Sequence, residues 1–306
     1  MPIKVVLASD DSTPARAAEA WLTNARWASP PQFTVLTVGA PLIAARSWLH
    51  GTRHGSLMRA LAELEADEEE AARRIADSVA RRMRVAGLSV EAKARQGDAA
   101  TQILREQEER AADLIALGPR GRSDFSTALL GSVSQQVLAH SRVPVLVARS
   151  ARLPPGPLPQ VVLVLTDGSL QVQTVMAWLE SSGWLHGTQL VLGGLLGLSP
   201  GLGGAPDLEE ELTTELRLAA RDVLHELADR ARPLARDVVI DLRLGHPLQA
   251  GFELADDHRA DLLVVARRPV RPGEHPLADK VARYASTSVV LVPLSEAVTS
   301  AIEAAA

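Results

Sequence analysis

No cysteine occurs among the 306 residues, and aromatic side chains make up only 3% of them. The first absence excludes disulfides and thiolate metal sites and is typical of a reducing compartment. The second means that the core has to be built from aliphatic side chains, as in buried parallel strands covered by helices. No apolar run reaches the ~20 residues needed to span a bilayer, and residues 1–4 do not resemble a signal sequence. We therefore expect a cytoplasmic protein with no membrane partner.

The sequence also lacks an excess of basic residues. Its formal net charge is -5, and no sustained face of Lys and Arg stands out from the acidic background. Proteins that bind nucleic acid usually carry such a face. With 46% hydrophobic and 23% charged residues, the composition is that of an ordinary globular protein. We expect no nucleic-acid partner.

The sequence does contain an internal repeat. Residues 5–12 (VVLASDDS) recur as residues 162–169 (VLVLTDGS), and residues 112–117 (ADLIAL) recur as residues 260–265 (ADLLVV). A proline-rich stretch between the two copies is typical of a linker. The repeat predicts two domains of one fold, at residues 1–150 and 160–294, with a linker at 151–159 and a tail at 295–306.

Within each copy, short β-branched runs alternate with longer helical patterns, which predicts βαβ units and a parallel sheet. Five strands per copy are too few for a closed eight-stranded barrel. The predicted fold class is therefore α/β, with two tandem, open, doubly wound parallel sheets of five strands each. In the first copy we expect strands near 3–9, 33–38, 89–95, 113–118 and 144–148, and helices near 13–28, 57–86, 98–110 and 132–140. In the second copy we expect strands near 161–166, 188–193, 237–243, 261–266 and 288–292.

The fourth strand of the first copy runs into a loop of the pattern G-x2-G-x9-G-S, formed by Gly118, Gly121, Gly131 and Ser132. Glycines let backbone amides approach a phosphate closely. Gly131 and Ser132 open the next helix, whose first N–H groups and positive dipole end favour an anion. Arg122 is a candidate for offsetting phosphate charge. A flexible loop before an ordinary helix is the alternative, but the position after a strand of a βα unit favours phosphate binding.

This spacing, together with a first strand that ends in Asp-x-Ser at Asp10 and a G-x-x-A segment at Gly97, resembles the universal stress protein family. The resemblance covers nearly the whole chain, once per copy. It implies a Rossmann-like sheet of strand order 3-2-1-4-5, and ATP, with or without Mg²⁺, as the ligand of the first copy. It also implies pairing through the last strand of each domain, as an internal pseudo-dimer or as a homodimer of chains.

The resemblance further implies which residues bind the nucleotide. Asp10 would contact the base or ribose, with the backbone of Ala8 beside it, and Val38 would supply a contact from the second strand. From the residues alone, the alternative is that Asp10 holds a turn or caps the helix that begins near Thr13, a role that does not exclude contact with a ligand. The glycines and Ser132 would bind ribose and phosphates. The other cofactor-binding residues that the resemblance implies are Leu117, Arg122, Val133 and Ser134.

The second copy lacks this loop. Its fourth strand ends in Ala-Arg-Arg-Pro-Val-Arg-Pro-Gly at 266–273, without the glycine pair or Gly-Ser, and proline removes amide donors. We expect this copy to bind ATP weakly or not at all, with Asp167 serving a turn. Arg267, Arg268 and Arg271 are candidates for holding another anion.

Two further patterns are weaker. His50 and His54 have the spacing of a helical metal pair, but no third ligand is evident, and we predict no metal site. Gly193-Gly194 and the glycines of 201–204 imitate a dinucleotide-binding pattern, but their position after a second strand indicates a mobile loop.

These observations favour an ATP-binding regulatory or stress-response module with little or no turnover. A slow ATP hydrolase or phosphotransferase is the enzymatic alternative, and a nucleotide-independent dimeric scaffold is the third. The motif G-x4-G-K-[ST] is absent, so the lysine of a P-loop is missing, and we predict no catalytic residues.

Overall fold

The computed structural model describes residues 2–40, 55–121, 130–149, 154–168, 171–197, 206–268 and 276–294. The chain divides into two compact units. The first consists of residues 1–23 and 29–148, and the second of residues 24–28 and 149–306. Each unit alternates strands and helices, as the repeat predicts.

The first unit contains five parallel strands in the order β3-β2-β1-β4-β5, which confirms the predicted order 3-2-1-4-5. Its strands are β1 (Lys4–Ala8), β2 (Gln32–Gly39), β3 (Ser89–Gln96), β4 (Leu114–Leu117) and β5 (Val145–Val147). Its helices are α1 (Thr13–Asn24), α2 (Gly55–Val85), α3 (Ala99–Arg110) and α4 (Ser132–His140).

Hydrophobic patterning explains these elements. All four residues of β4 are buried, as are the central residues of β1, and near-continuous apolar runs are typical of parallel strands covered on both faces. Helix α2 instead buries residues at positions i, i+3, i+4 and i+7, which forms one apolar stripe along a long polar helix. The residues of this stripe are Ala76, Val79, Ala80 and Met83.

Strand β1 lies between β2 and β4, with Leu7 opposite Ala116 in the register. The chain order reverses at this point, and ligands of open α/β sheets bind at the carboxyl ends of strands beside such a reversal. The loops that follow β1 and β4 therefore leave the sheet at the same edge.

The second unit repeats this arrangement with the strand order β8-β7-β6-β9-β10, again all parallel. Its strands are β6 (Val161–Thr166), β7 (Gln189–Leu196), β8 (Asp237–Leu244), β9 (Leu262–Arg267) and β10 (Ser288–Pro293). Its helices are α5 (Gln171–Ser182), α6 (Pro206–Ala231), α7 (Pro247–Asp257) and α8 (Leu277–Tyr284).

The first helix is shorter than predicted, because it ends at Asn24 instead of 28. The backbone of residues 24–28 makes hydrogen bonds within the second unit that replace those of a helix. The N–H of Arg26 donates to the carbonyl of Leu158 at 2.8 Å, and the N–H of Leu158 donates to the carbonyl of Asn24 at 2.8 Å. The ring of Trp27 meets the buried Trp184 edge to face, with ring centroids 5.6 Å apart.

The prediction of a mobile loop at Gly193-Gly194 was wrong, since both glycines lie inside strand β7. A Cβ added at Gly193 would lie 2.9 Å from Cδ1 of Leu163, and one added at Gly194 would collide with Leu242. These glycines make room for neighbouring leucines. The glycines of 201–204, like His50 and His54, lie outside the described residues.

A buried carboxylate joins α3 to β3 in the first unit. Glu106 is completely buried and accepts hydrogen bonds from Lys93 at 3.0 Å, Arg95 at 2.6 Å and Arg110 at 3.0 Å. Burial raises the pKa of Glu106, but these three cations outweigh it and hold the pKa below its ordinary value. The corresponding residue of the second unit, by the repeat, is the buried Leu254. The two units thus fill the same core position with an ion network and with a hydrocarbon.

We expect the substitution Glu106→Gln to destabilise the first unit by about 3 kcal/mol, because three cations lose a buried partner. Urea unfolding of the full chain, with hydrogen exchange to assign the loss to β3 and α3, measures this. Glu108→Gln is the matched control, since Glu108 lies on the same helix and is exposed. An effect of Glu106→Gln no larger than that of the control would contradict the ion network.

A second buried carboxylate belongs to Asp261, which directly precedes β9 and accepts hydrogen bonds from the start of β6. Asp261 is 3% exposed and accepts the N–H groups of Gln160 at 2.8 Å and Val161 at 3.3 Å. Asp113 of the first unit does the same with the N–H of Lys4 at 2.8 Å. Burial raises the pKa of Asp261 to about 6, against the lowering effect of the backbone hydrogen bonds.

Because the pKa of Asp261 is higher in the folded than in the unfolded chain, its ionisation costs stability as the pH rises from about 4 to 6. We expect the second unit to be more stable at pH 5 than at pH 7 relative to an Asp261→Asn variant, by about 1 kcal/mol, since part of the loss has already occurred at pH 5. Urea unfolding of both proteins at the two pH values measures the difference. A gap between the proteins that is the same at both pH values would contradict the shift.

Candidate nucleotide site

The loop after β1 and the loop after β4 meet in the first unit. A Cβ added at Gly121 would lie 2.7 Å from Oδ2 of Asp10, so the backbone of the glycine loop faces this carboxylate. A larger side chain at 121 would displace the Asp10 carboxylate from this position, so the glycine lets the carboxylate and the loop backbone face each other. The arrangement puts a carboxylate and a glycine backbone at the carboxyl ends of two adjacent strands.

Asp10 also shapes its own loop. Its Oδ1 accepts the N–H of Ser12 at 3.0 Å, which forms an Asx turn. The helix cap belongs to Ser12 instead, whose Oγ lies 3.4 Å from the N–H of Ala15. The turn interpretation of Asp10 is therefore confirmed for Oδ1, while Oδ2 is directed toward Gly121.

Gly118 has a structural reason to be glycine. A Cβ at this position would lie 2.6 Å from the carbonyl group of Pro14 and 2.9 Å from the backbone nitrogen of Ala15. The end of β4 thus packs directly against the first turn of α1, backbone to backbone. No side chain fits there, with or without a ligand.

Helix α4 begins over the end of β4. Gly131 is its N-cap, without a side-chain hydrogen bond, and its own N–H donates to the carbonyl of Pro119 at 2.8 Å. The hydroxyl of the buried Ser134 donates to the carbonyl of Gly118 at 3.0 Å. Ser132 and Val133 are exposed in the first turn, where the backbone N–H groups have no partner within the helix. This helix start can donate to an anion placed beside Gly118 and Gly121.

The other predicted site residues that the structure describes lie near the carboxyl ends of β1, β2 and β4. Ala8 and Val38 are half-buried near the ends of β1 and β2, and Leu117 is buried at the end of β4. Sequence reasoning missed Thr37, whose hydroxyl donates to the carbonyl of Ser9 at 2.8 Å and ties β2 to the β1 loop. Arg122 lies outside the described residues.

The same edge of the second unit is different. Ala266 stands where the repeat has Gly118, and the next residue, Arg267, is 7% exposed. Burial lowers the pKa of Arg267, while the charge of Asp279 acts in the opposite direction. Asp167 and Arg268 are exposed, and Arg271 lies outside the described residues. A large, buried cationic side chain thus stands where the first unit has Pro119.

The described residues contain no group of three or more His, Cys, Asp or Glu side chains that could hold a metal ion. Within the same residues, no helix combines the length and apolar character needed to cross a membrane.

The sequence of this chain matches the model of one protein family. The model of the universal stress protein family matches residues 1–149 and again residues 159–293. Among curated proteins, none matches the sequence significantly.

Solved structures extend this finding to the fold of the whole chain. A universal stress protein from Archaeoglobus fulgidus is 18% identical and has a TM-score of 0.58, with 95% of this chain and 98% of that chain covered. A putative universal stress protein from Pseudomonas aeruginosa is 14% identical and has a TM-score of 0.61, with 99% and 97% covered. Both are similar over two tandem domains.

We expect Gly118→Ala to destabilise the first unit by about 2 kcal/mol, because the new methyl group collides with backbone that cannot yield. Gly121→Ala is the matched control, with an expected change below about 1 kcal/mol, since the Asp10 carboxylate can rotate away. Urea unfolding of the two variants beside wild type measures the difference. Equal stability of the two variants would contradict the backbone contact.

Proposed function

The chain belongs to the universal stress protein family, and we propose that its first unit binds ATP and serves as a nucleotide-dependent regulatory module with little or no turnover. The observation that carries the proposal is the approach of Asp10 to Gly121, beside the first turn of α4. A nucleotide needs an acceptor for its sugar or base and backbone donors for its phosphates, and this edge offers both.

In this proposal Asp10 accepts a hydrogen bond from the ribose or base, and Ala8 and Val38 line that end of the ligand. Gly121, Gly131 and the first N–H groups of Ser132, Val133 and Ser134 contact the phosphates. Since the hydroxyl of Ser134 already donates to Gly118, Ser134 contributes its backbone only. We assign Leu117 and Gly118 to the floor of the site and Arg122 to the phosphates.

Mg²⁺, where present, would arrive with the phosphates of ATP. The described part of the chain offers no cluster of metal-ligating side chains that would hold the ion by itself. The chain's own residues would therefore bind the nucleotide and leave most of the coordination of the ion to phosphate oxygens and water.

The second unit is proposed to lack nucleotide. The buried Arg267 stands where the first unit has Pro119, directly after the position of Gly118, and the sequence that follows has neither the glycine pair nor Gly-Ser. We propose that this unit completes the fold of the chain without a second ATP site. Pairing through the last strand of each domain, the predicted domain boundaries and a cytoplasmic location stay predictions.

The test is to purify the full chain without added nucleotide, denature it and identify any released ligand, and then to titrate the protein with ATP and Mg²⁺. We expect about one ATP per chain and negligible release of ADP. Asp10→Ala should weaken binding roughly 10-fold or more, because a hydrogen bond to a charged group is lost. Asp167→Ala, the matching change in the second unit, should leave affinity and stoichiometry unchanged.

Each other outcome identifies a different function. Two ATP per chain would refute the assignment of the second unit. Rapid formation of ADP would indicate a hydrolase or phosphotransferase. If the folded wild-type protein binds no nucleotide, the nucleotide-independent dimeric scaffold is the function that remains.

A further inference from the structure

The residue after Asp10 has an unusual backbone conformation. Asp11 has φ = 59°, in the left-handed region that residues other than glycine rarely adopt. Aspartate tolerates this region better than most residues, but the conformation persists only where the surroundings hold it. The turn that carries Asp10 therefore depends on contacts made by Asp11.

Those contacts come from two helices. Arg82 of α2 places Nη2 at 2.6 Å from Oδ1 of Asp11 and at 2.6 Å from Oε2 of Glu19, while its Nε donates to Oε1 of Glu19 at 2.8 Å. Arg16 of α1 donates to both carboxylate oxygens of Asp11, at 3.0 and 3.2 Å. We refer to Asp11, Glu19 and Arg82 as the Arg82 clamp.

The two carboxylates of the clamp are largely shielded from water. The side chain of Glu19 is only 11% exposed and that of Asp11 17%. Arg82 holds Glu19 through two parallel hydrogen bonds, a geometry that fixes direction as well as distance. Burial raises the pKa of Asp11, but hydrogen bonds from Arg16 and Arg82 outweigh it and hold the pKa below its ordinary value.

The clamp acts on the Asp10 turn through Asp11, the next residue of the loop. The N–H of Asp11 donates to Oγ of Ser9 at 3.2 Å, and the N–H of Ser12 donates to Oδ1 of Asp10 at 3.0 Å. Both hydrogen bonds lie within the turn that contains the left-handed Asp11. With the turn in place, Oδ2 of Asp10 is directed toward Gly121.

The clamp also changes the charge that a ligand would meet. Asp11 is the neighbour of Asp10 in one loop, and an uncompensated negative charge on Asp11 would repel the phosphates of a nucleotide. Arg82 and Arg16 neutralise that charge.

We propose that Arg82 is a positioning residue for nucleotide binding: through Asp11 it fixes the turn that directs Asp10 and neutralises the carboxylate beside it. This inference rests on the proposed function of the first unit. The alternative is that Arg82 is only structural and links α2 to α1 through Glu19. Its loss would then lower the stability of the protein, and any effect on ATP affinity would be the same with and without Asp10.

The test is a cycle of variants of the full chain, titrated with ATP and Mg²⁺ by calorimetry at a temperature where circular dichroism shows each protein folded. Arg82→Met should raise the Kd about 10-fold in the wild-type background. In an Asp10→Ala background the same change should alter the Kd less than about 2-fold, because the residue that Arg82 directs is absent. Arg74→Met is the control, since Arg74 lies on the same helix and makes only an exposed ion pair with Glu70, at 3.4 Å.

Asp11→Asn provides a second route, because it removes the ion pairs of Asp11 and leaves the hydrogen bonds between Arg82 and Glu19 in place. It should weaken binding, and Arg82→Met should add little to it. Wild-type affinity of Arg82→Met, or an equal effect of that change with and without Asp10, would overturn the inference while the proposed function stands. Failure of wild type itself to bind would instead overturn the proposed function, and the inference with it.

Discussion

The end of β4 lies against the first turn of α1 with only the hydrogen of Gly118 between the two backbones. Because of this contact, the two loops that leave the sheet at the strand reversal come close enough for Asp10 to face Gly121. The hydroxyl of Ser134 then fixes the start of α4 to the same carbonyl of Gly118. The carboxylate, the glycine backbone and the helix start are thus placed by one close approach. A side chain at 118 would separate all three.

The two units show how one fold carries two chemistries. Both keep the aspartate that accepts backbone N–H groups at the start of the first strand, Asp113 in one and Asp261 in the other. They differ at a buried charged position and at the proposed ligand-binding edge. Glu106 and its three cations stand where the second unit has Leu254, and Gly118 and Pro119 stand where the second unit has Ala266 and the buried Arg267. The second unit shares the features that stabilise the fold and differs at the positions where we propose that the first unit binds a nucleotide.

Hydrophobic runs and recurring motifs predicted the repeat and most strands, because these are local signals, and the resemblance to the family implied the strand order that the structure shows. The glycine spacing predicts a site at the edge after β4, which stays a prediction. It could not predict where α1 ends, since the hydrogen bonds that stop it come from Leu158, more than a hundred residues away. Nor could it assign Gly193-Gly194 to a strand, because the reason is the shape of Leu163 and Leu242 around them. Arg82 carried no signal, because 71 positions of the sequence separate it from Asp11 and its helix has the charged pattern of an ordinary solvated surface.

The central claim is that the nucleotide binds at the edge formed by Asp10, Gly121 and the start of α4, in the first unit only. Titration of isotopically labelled full-length chain with ATP, followed through its backbone amide resonances, tests this most directly. We predict that the large shifts occur at residues 9–12, 118–121 and 131–134, with none at 166–168 or 266–268. Shifts confined to the second unit, or to the amino-terminal ends of the strands, would contradict it.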